Sequence, residues 1–299
     1  MSTFLRLLAA AALLTTTAVA AVLFRVTRRT KGSTFDSNGV RLHYTIDSEG
    51  DGKRETVVLL HGFAVNADIN WRLPGITREL ARDFTVISMD LRGHGLSGKP
   101  DDARKYGMEM VDDVLRLLDH LRIEKAHVVG YSLGGVVTLK LAATHPERLL
   151  TASSLGIGWE RIEDSAFMAA VADIEADLRS GRGIGPLSAY GGDGQEEPGL
   201  AHTMLMKFIT RYLADGAALA SVVGAIPELA VTEEELRRIP VPMCSIVGSR
   251  DPLRGGVEAM EGLVPDITVT VLDGANHISA PRHPQMLHDL RSFLRRNHD

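Results

Sequence analysis

Five consecutive residues, Gly130-Tyr131-Ser132-Leu133-Gly134, have the G-x-S-x-G spacing in which a serine hydroxyl can serve as a nucleophile. A serine hydroxyl is weak at neutral pH. It needs a base beside it, and the base needs an acid that fixes its tautomer. The chemistry would be acyl transfer, with backbone N–H groups holding the oxyanion that forms when Ser132 attacks a carbonyl. The plainer role for Ser132 is to cap a helix N-terminus. Along the chain, an elbow serine is followed first by its acid and then by its histidine. His277 stands in Asp273-Gly274-Ala275-Asn276-His277, just after the apolar run 267–272. Asp251 stands in Gly248-Ser249-Arg250-Asp251-Pro252, after the run 243–247, at the carboxyl end where α/β sheets build their sites. Glu160 and Asp164 are rival acids, and Asp273 reads as a turn residue. The oxyanion donors expected are the N–H of Leu133 and the N–H of Phe63 in His61-Gly62-Phe63, with His61 and Gly62 shaping that loop. None of the remaining histidines has a spacing such as H-E-x-x-H, so no metal site is expected.

These side chains must be positioned by the elements around them. Val40, Leu42, Tyr44 and Ile46 alternate with Arg41, His43 and Thr45, which predicts a strand with one wet face, and Asn38-Gly39 before it signals a hairpin turn. Short apolar runs follow at 56–60, 84–89, 126–129, 149–155, 243–247 and 267–272. Their length and β-branched content suit central strands of a mainly parallel sheet. Helical patterns at 110–121, 134–145 and 284–296 lie between or after them, and Pro146 stops the second. Strand alternating with helix predicts an α/β layered fold with right-handed crossovers. The G-x-S-x-G motif then falls where a strand ends and a helix begins, which is the place of a nucleophile elbow. The alternation breaks from 159 to 238, which reads as a mostly helical insertion with patterns at 165–178 and 203–213 around a Gly-rich loop at 181–194. No strand precedes that loop and no Gly-Lys-Ser/Thr closes it, so it reads as a flexible loop and not as a phosphate cradle.

The formal net charge of -5 disfavours a nucleic-acid partner, which would call for a basic excess. The single cysteine, Cys244, excludes an intrachain disulfide and reads as a small buried side chain. Arg6 is followed by an apolar stretch, 7–24, and then by Arg25, Arg28, Arg29 and Lys31. Two readings are open. One is a secretory signal cleaved near Ala18-Val19-Ala20; the other is a retained membrane anchor. The basic cluster after the stretch favours the anchor, with the C-terminal side in the cytoplasm.

With its four markers, His61-Gly62-Phe63, Asp90-Leu91-Arg92-Gly93-His94-Gly95-Leu96-Ser97, Gly130–Gly135 and the Asp251/His277 pair, the chain resembles the α/β-hydrolase-fold family, in the subgroup with an HG-aromatic oxyanion loop. The likeness runs from about residue 35 to 296. It implies an eight-stranded, mostly parallel sheet flanked by helices, with a helical cap after the sixth strand, and no cofactor. The expected organisation is an N-terminal hydrophobic segment at 1–32, a hydrolase core at 33–158 and 239–299, and the cap at 159–238. The expected activity is cleavage of an ester-type bond in a small-molecule or acyl-chain substrate. Dehalogenases and epoxide hydrolases of the family carry aspartate at the nucleophile position, and Ser132 disfavours both. Lactonase, thioesterase, carbon–carbon hydrolase and perhydrolase activities remain open on the same triad, as do an acyltransferase and a ligand-binding protein of the same fold. Asp90 and His94 are expected to serve the turn that holds them rather than the chemistry.

Overall fold

The computed structural model describes residues 30–48, 54–159, 165–182 and 215–298. Among these residues eight strands form one sheet. They are β1 (Ser33–Ser37), β2 (Val40–Asp47), β3 (Thr56–Leu60), β4 (Thr85–Met89), β5 (Ala126–Tyr131), β6 (Leu149–Leu155), β7 (Met243–Gly248) and β8 (Ile267–Leu272). The spatial order is β1-β2-β4-β3-β5-β6-β7-β8. The β1–β2 and β2–β4 pairings are antiparallel and all the others are parallel. The Asn38-Gly39 turn closes the first hairpin, with Ser37 opposite Val40.

The α-helices among the described residues are α1 (Ile76–Leu80), α2 (Met108–Leu121), α3 (Leu133–Thr144), α4 (Ser165–Arg179), α5 (Gly216–Gly224), α6 (Glu233–Arg237), α7 (Arg254–Met260) and α8 (Pro284–Arg296). They cover both faces of the sheet, and the strands show it by sending alternate residues into separate cores. Val58 and Leu60 of β3 enter the core shared with Val111, Val114 and Leu118 of α2 and Val137 and Leu141 of α3. Val57 and Leu59 enter the core shared with Ile76 and Leu80 of α1, Trp71, and Leu290 and Phe293 of α8. A strand buried on both faces has no polar alternation, which explains the continuous apolar runs.

Two features differ from the sequence expectation. On β2, His43 and Thr45 are buried, whereas Ile46 is 52% exposed. The polar face of this strand is covered because residues 90–98 fold back onto it. Ser97 Oγ accepts from His43 N at 2.9 Å, Gly98 N donates to Arg41 O at 2.7 Å, and Arg72 reaches Thr45 Oγ1 at 2.8 Å. Strand β1 and the short helices α1, α5, α6 and α7 form where the sequence pattern predicts no element, since segments of five to nine residues show little period.

Between β6 and β7 the described residues contain helices and no strand. Helices α4 and α5 join in a small third core of Val171, Leu178, Leu219, Ala220 and Val223, and Phe63 and Ala64 pack against it. The pattern at 203–213, most of the Gly-rich loop, and Glu160 and Asp164 lie outside the described residues, as does the N-terminal stretch 1–29. Among the described residues no single helix is long and apolar enough to cross a membrane. Cys244 is buried in β7, and burial pushes its thiol up to about 12.

Candidate active site

Ser132 stands between β5 and α3 with φ 52° and ψ -114°, backbone angles that an L-residue rarely adopts. Three contacts hold it there. Its N–H donates to Leu155 O of β6 at 2.8 Å. Its carbonyl accepts from Val136 N at 3.0 Å. Behind it, Gly134 lies so close to the end of β3 that a Cβ would fall 2.2 Å from Leu60 O, so the elbow cannot close over a larger residue. The side chain of Ser132 makes no capping bond to α3, which sets aside the plainer role and leaves the hydroxyl available.

That hydroxyl points to His277. Ser132 Oγ lies 3.0 Å from His277 Nε2, and His277 Nδ1 lies 2.8 Å from Asp251 Oδ2. With Nδ1–H donating to the carboxylate, Nε2 is the acceptor for the serine proton. The Asp251 side chain is fully buried and that of His277 is 18% exposed. The second carboxylate oxygen of Asp251 accepts from Leu253 N at 3.0 Å. Asp251 and His277 both sit on loops that leave parallel strands at their carboxyl ends, β7 and β8, and three loops of one sheet edge meet at the serine. Asp273 is exposed in the turn after β8 and has no bond to His277.

The loop after β3 reaches the same place. A Cβ built on Gly62 would sit 3.4 Å from Ser132 Cβ, so Gly62 borders Ser132. His61 is fully buried; its Nε2 accepts from Leu91 N at 3.0 Å, and its Nδ1–H donates to Gly62 O at 2.7 Å. Asn70, which the sequence reading did not single out, accepts from Gly62 N at 3.0 Å. Phe63 lies next, its ring edge-on to His94 at 5.8 Å. Leu133 is the first residue of α3, where a backbone N–H has no partner within the helix. Among the described residues neither the Phe63 N–H nor the Leu133 N–H carries a hydrogen bond.

Asp90 and His94 brace the turn beneath this loop. Asp90 is buried, which alone would raise its pKa. Hydrogen bonds from His43, from Leu96 N at 2.9 Å and from Ala67 N at 3.0 Å outweigh that and hold it at about 2. Burial lowers His94 to about 3. Its Nδ1–H donates to Arg92 O at 3.0 Å, and its buried Nε2 has no partner. Among the described residues no group of three or more His, Cys, Asp and Glu is arranged to hold a metal ion.

Comparison with known proteins follows the same line. Residues 55–179 match the family described as alpha/beta hydrolase fold. The chain is 31% identical over 227 residues to 3-oxoadipate enol-lactonase 2 of Acinetobacter baylyi, a match covering 71% of this chain and 79% of that protein. It is 39% identical over 126 residues to the dihydrolipoyllysine-residue acetyltransferase component of the acetoin cleaving system of Cupriavidus necator. That match takes in 41% of this chain and spans about a third, 32%, of the longer protein. Among solved structures, the enol-lactonase of Burkholderia xenovorans LB400 superposes with a TM-score of 0.72 at 24% identity, covering 88% of this chain and all of that one.

Proposed function

The chain belongs to the α/β-hydrolase fold family, and from that premise we propose that it is a hydrolase that cleaves carboxylic esters through an acyl-enzyme on Ser132. The observation that carries this reading is the hydrogen-bonded series Ser132–His277–Asp251, with separations of 3.0 and 2.8 Å. In the proposed cycle His277 Nε2 takes the Ser132 proton as Oγ bonds to the carbonyl carbon. The N–H groups of Phe63 and Leu133 hold the oxyanion. Asp251 stabilises the imidazolium, which passes its proton to the leaving alcohol as the C–O bond breaks. Water then attacks the acyl-enzyme and gives a proton to His277, and His277 returns it to Ser132 as the acid departs. Each oxyanion donor contributes roughly 3–4 kcal/mol to barrier lowering in sites of this type.

Residues 159–238 are proposed as the cap that bounds the acyl pocket. Phe63 supports this, since it packs against the α4–α5 core while belonging to the oxyanion loop.

A cyclic ester is the second substrate reading. It is favoured by the 31% identity to an enol-lactonase over most of both chains. In that case the leaving oxygen stays covalently attached to the acyl group, takes the proton from His277, and departs with it as a single product when water breaks the bond to Ser132.

The test is active-site labelling with a fluorophosphonate, followed by mass-spectrometric mapping of the adduct. Labelling at Ser132 that disappears in Ser132→Ala and falls by at least 10³-fold in His277→Ala is expected, since removing a triad member costs several orders of magnitude. A folded wild-type protein that takes no label at Ser132 would refute the reading.

A further inference from the structure

Tyr131 occupies a variable position of the G-x-S-x-G motif. Its ring is buried at the tip of β5, with Trp71 edge-on to it at 6.5 Å. The phenol lies in a notch beside Gly156, where a Cβ would fall 2.7 Å from the ring's Cζ. From there the ring lies 5.3 Å from the His277 imidazole, and the hydroxyl donates to the backbone carbonyl of His277.

We propose that Tyr131 is a positioning residue whose hydroxyl latches the main chain of His277 to the strand that carries the nucleophile. The proposal rests on the Ser132–His277 reading above.

The pattern of bonds around the β8–α8 loop carries the argument. The neighbours of His277 are held locally. Asn276 Oδ1 accepts from Ile278 N at 3.1 Å and Ser279 N at 3.0 Å, and Ser279 Oγ accepts from Asn276 N at 2.9 Å. Ala275 O accepts from Arg250 N at 2.9 Å. These bonds shape the loop but do not refer it to Ser132. Among the described residues, the bond from Tyr131 is the one made by the His277 main chain, and its donor adjoins the nucleophile in sequence. Any displacement of the elbow therefore carries the backbone of the base with it. Burial, reinforced by the charge of Asp251, raises the phenol's pKa well above its ordinary value, so it stays a donor throughout the working pH range. The distance between base and nucleophile is where this matters, because a misplacement of about 1 Å can cost on the order of 10²-fold in rate.

The experiment compares fluorophosphonate labelling and ester turnover in wild type, Tyr131→Phe and Gly156→Ala. Tyr131→Phe keeps the ring and removes the hydroxyl. Gly156→Ala keeps the hydroxyl and crowds the ring. The expected result for both is labelling slowed 10- to 100-fold and kcat lowered by a similar factor, with KM within threefold of wild type and cooperative melting retained. A residue that merely fills space would be silent as phenylalanine. Unchanged labelling in Tyr131→Phe, or a loss confined to KM, overturns the latch. If Tyr131→Phe does not melt cooperatively, Gly156→Ala decides by the same criteria. Should wild type itself take no label at Ser132, the triad reading fails first, and the two failures are told apart.

Discussion

At the scale of the residue, the unusual backbone of Ser132 sets a stability against a reactivity. Its φ of 52° and ψ of -114° place the hydroxyl where His277 reaches it, and such angles cost about 1–3 kcal/mol for a residue with a Cβ. Glycine adopts them freely but loses about 0.5–1 kcal/mol through its freer unfolded chain. Ser132→Gly is therefore expected to be more stable than Ser132→Ala by roughly 1 kcal/mol, with both inactive. Paired thermal melts check this; an alanine variant that melts at or above the glycine variant would show the elbow to be unstrained. The meeting of Ser132, His277 and Asp251 was legible in the sequence because each directly follows an apolar run, and parallel strands deliver such positions to one edge. The Tyr131 bond was not legible. It joins residues 146 apart through a side chain whose type the motif leaves free.

At the scale of the element, the hairpin β1–β2 and the loop 90–98 depend on a buried ion pair. The Arg92 side chain is fully buried, with Nε 2.6 Å from Asp113 Oδ2 and Nη2 2.5 Å from Oδ1. Ser37 Oγ of β1 donates to the same carboxylate at 2.5 Å, which ties β1 to α2. Burial raises the pKa of Asp113 in spite of Arg92, so the guanidinium is what the carboxylate depends on. Arg92→Met should cost about 3–5 kcal/mol, because it leaves an uncompensated buried charge, and Arg92→Met with Asp113→Leu should recover much of that loss. A denaturant double-mutant cycle measures it, and additive losses would contradict a coupled pair. Sequence periodicity foresaw α2 but not what its polar residues face. Asp113 lies within an amphipathic helix and would ordinarily be assigned to solvent. The same limit explains His43 and Thr45, whose burial depends on a distant loop folding over them.

At the scale of the whole molecule, acid should loosen the fold through the turn beneath the loop that follows β3. His94 is held at about 3, whereas an unfolded histidine titrates near 6.5. The unfolded chain therefore takes up a proton that the folded chain refuses. The stability this group contributes is complete above about pH 6.5 and is lost as pH falls toward 3, at up to about 1.4 kcal/mol per unit. Asp90, held at about 2 against 3.8, adds a second loss with the same sign below about pH 4. Melting temperature measured from pH 7 to pH 4.5 should fall less steeply in His94→Asn than in wild type, whatever the absolute stability of the variant. Parallel curves would mean that His94 titrates normally. The layered α/β architecture was readable from the alternation of runs and helices, because that alternation reflects burial on two faces. At the antiparallel edge, Asn38-Gly39 signalled the hairpin but β1 itself was not legible, since five polar-rich residues such as Ser33–Ser37 are a strand only by virtue of their partner.

Ser132 and His277 lie 145 residues apart, and the loop bearing His277 is reached only after β8, with α8 still to follow. During synthesis the elbow and its flanking strands leave the ribosome long before the base does. On the reading given above, the nascent protein carries Ser132 without its base until β8 and the loop after it have been made. By the same reading, chains that stop before residue 277 lack the base and would be born without hydrolytic activity, so that reactivity reports synthesis past β8.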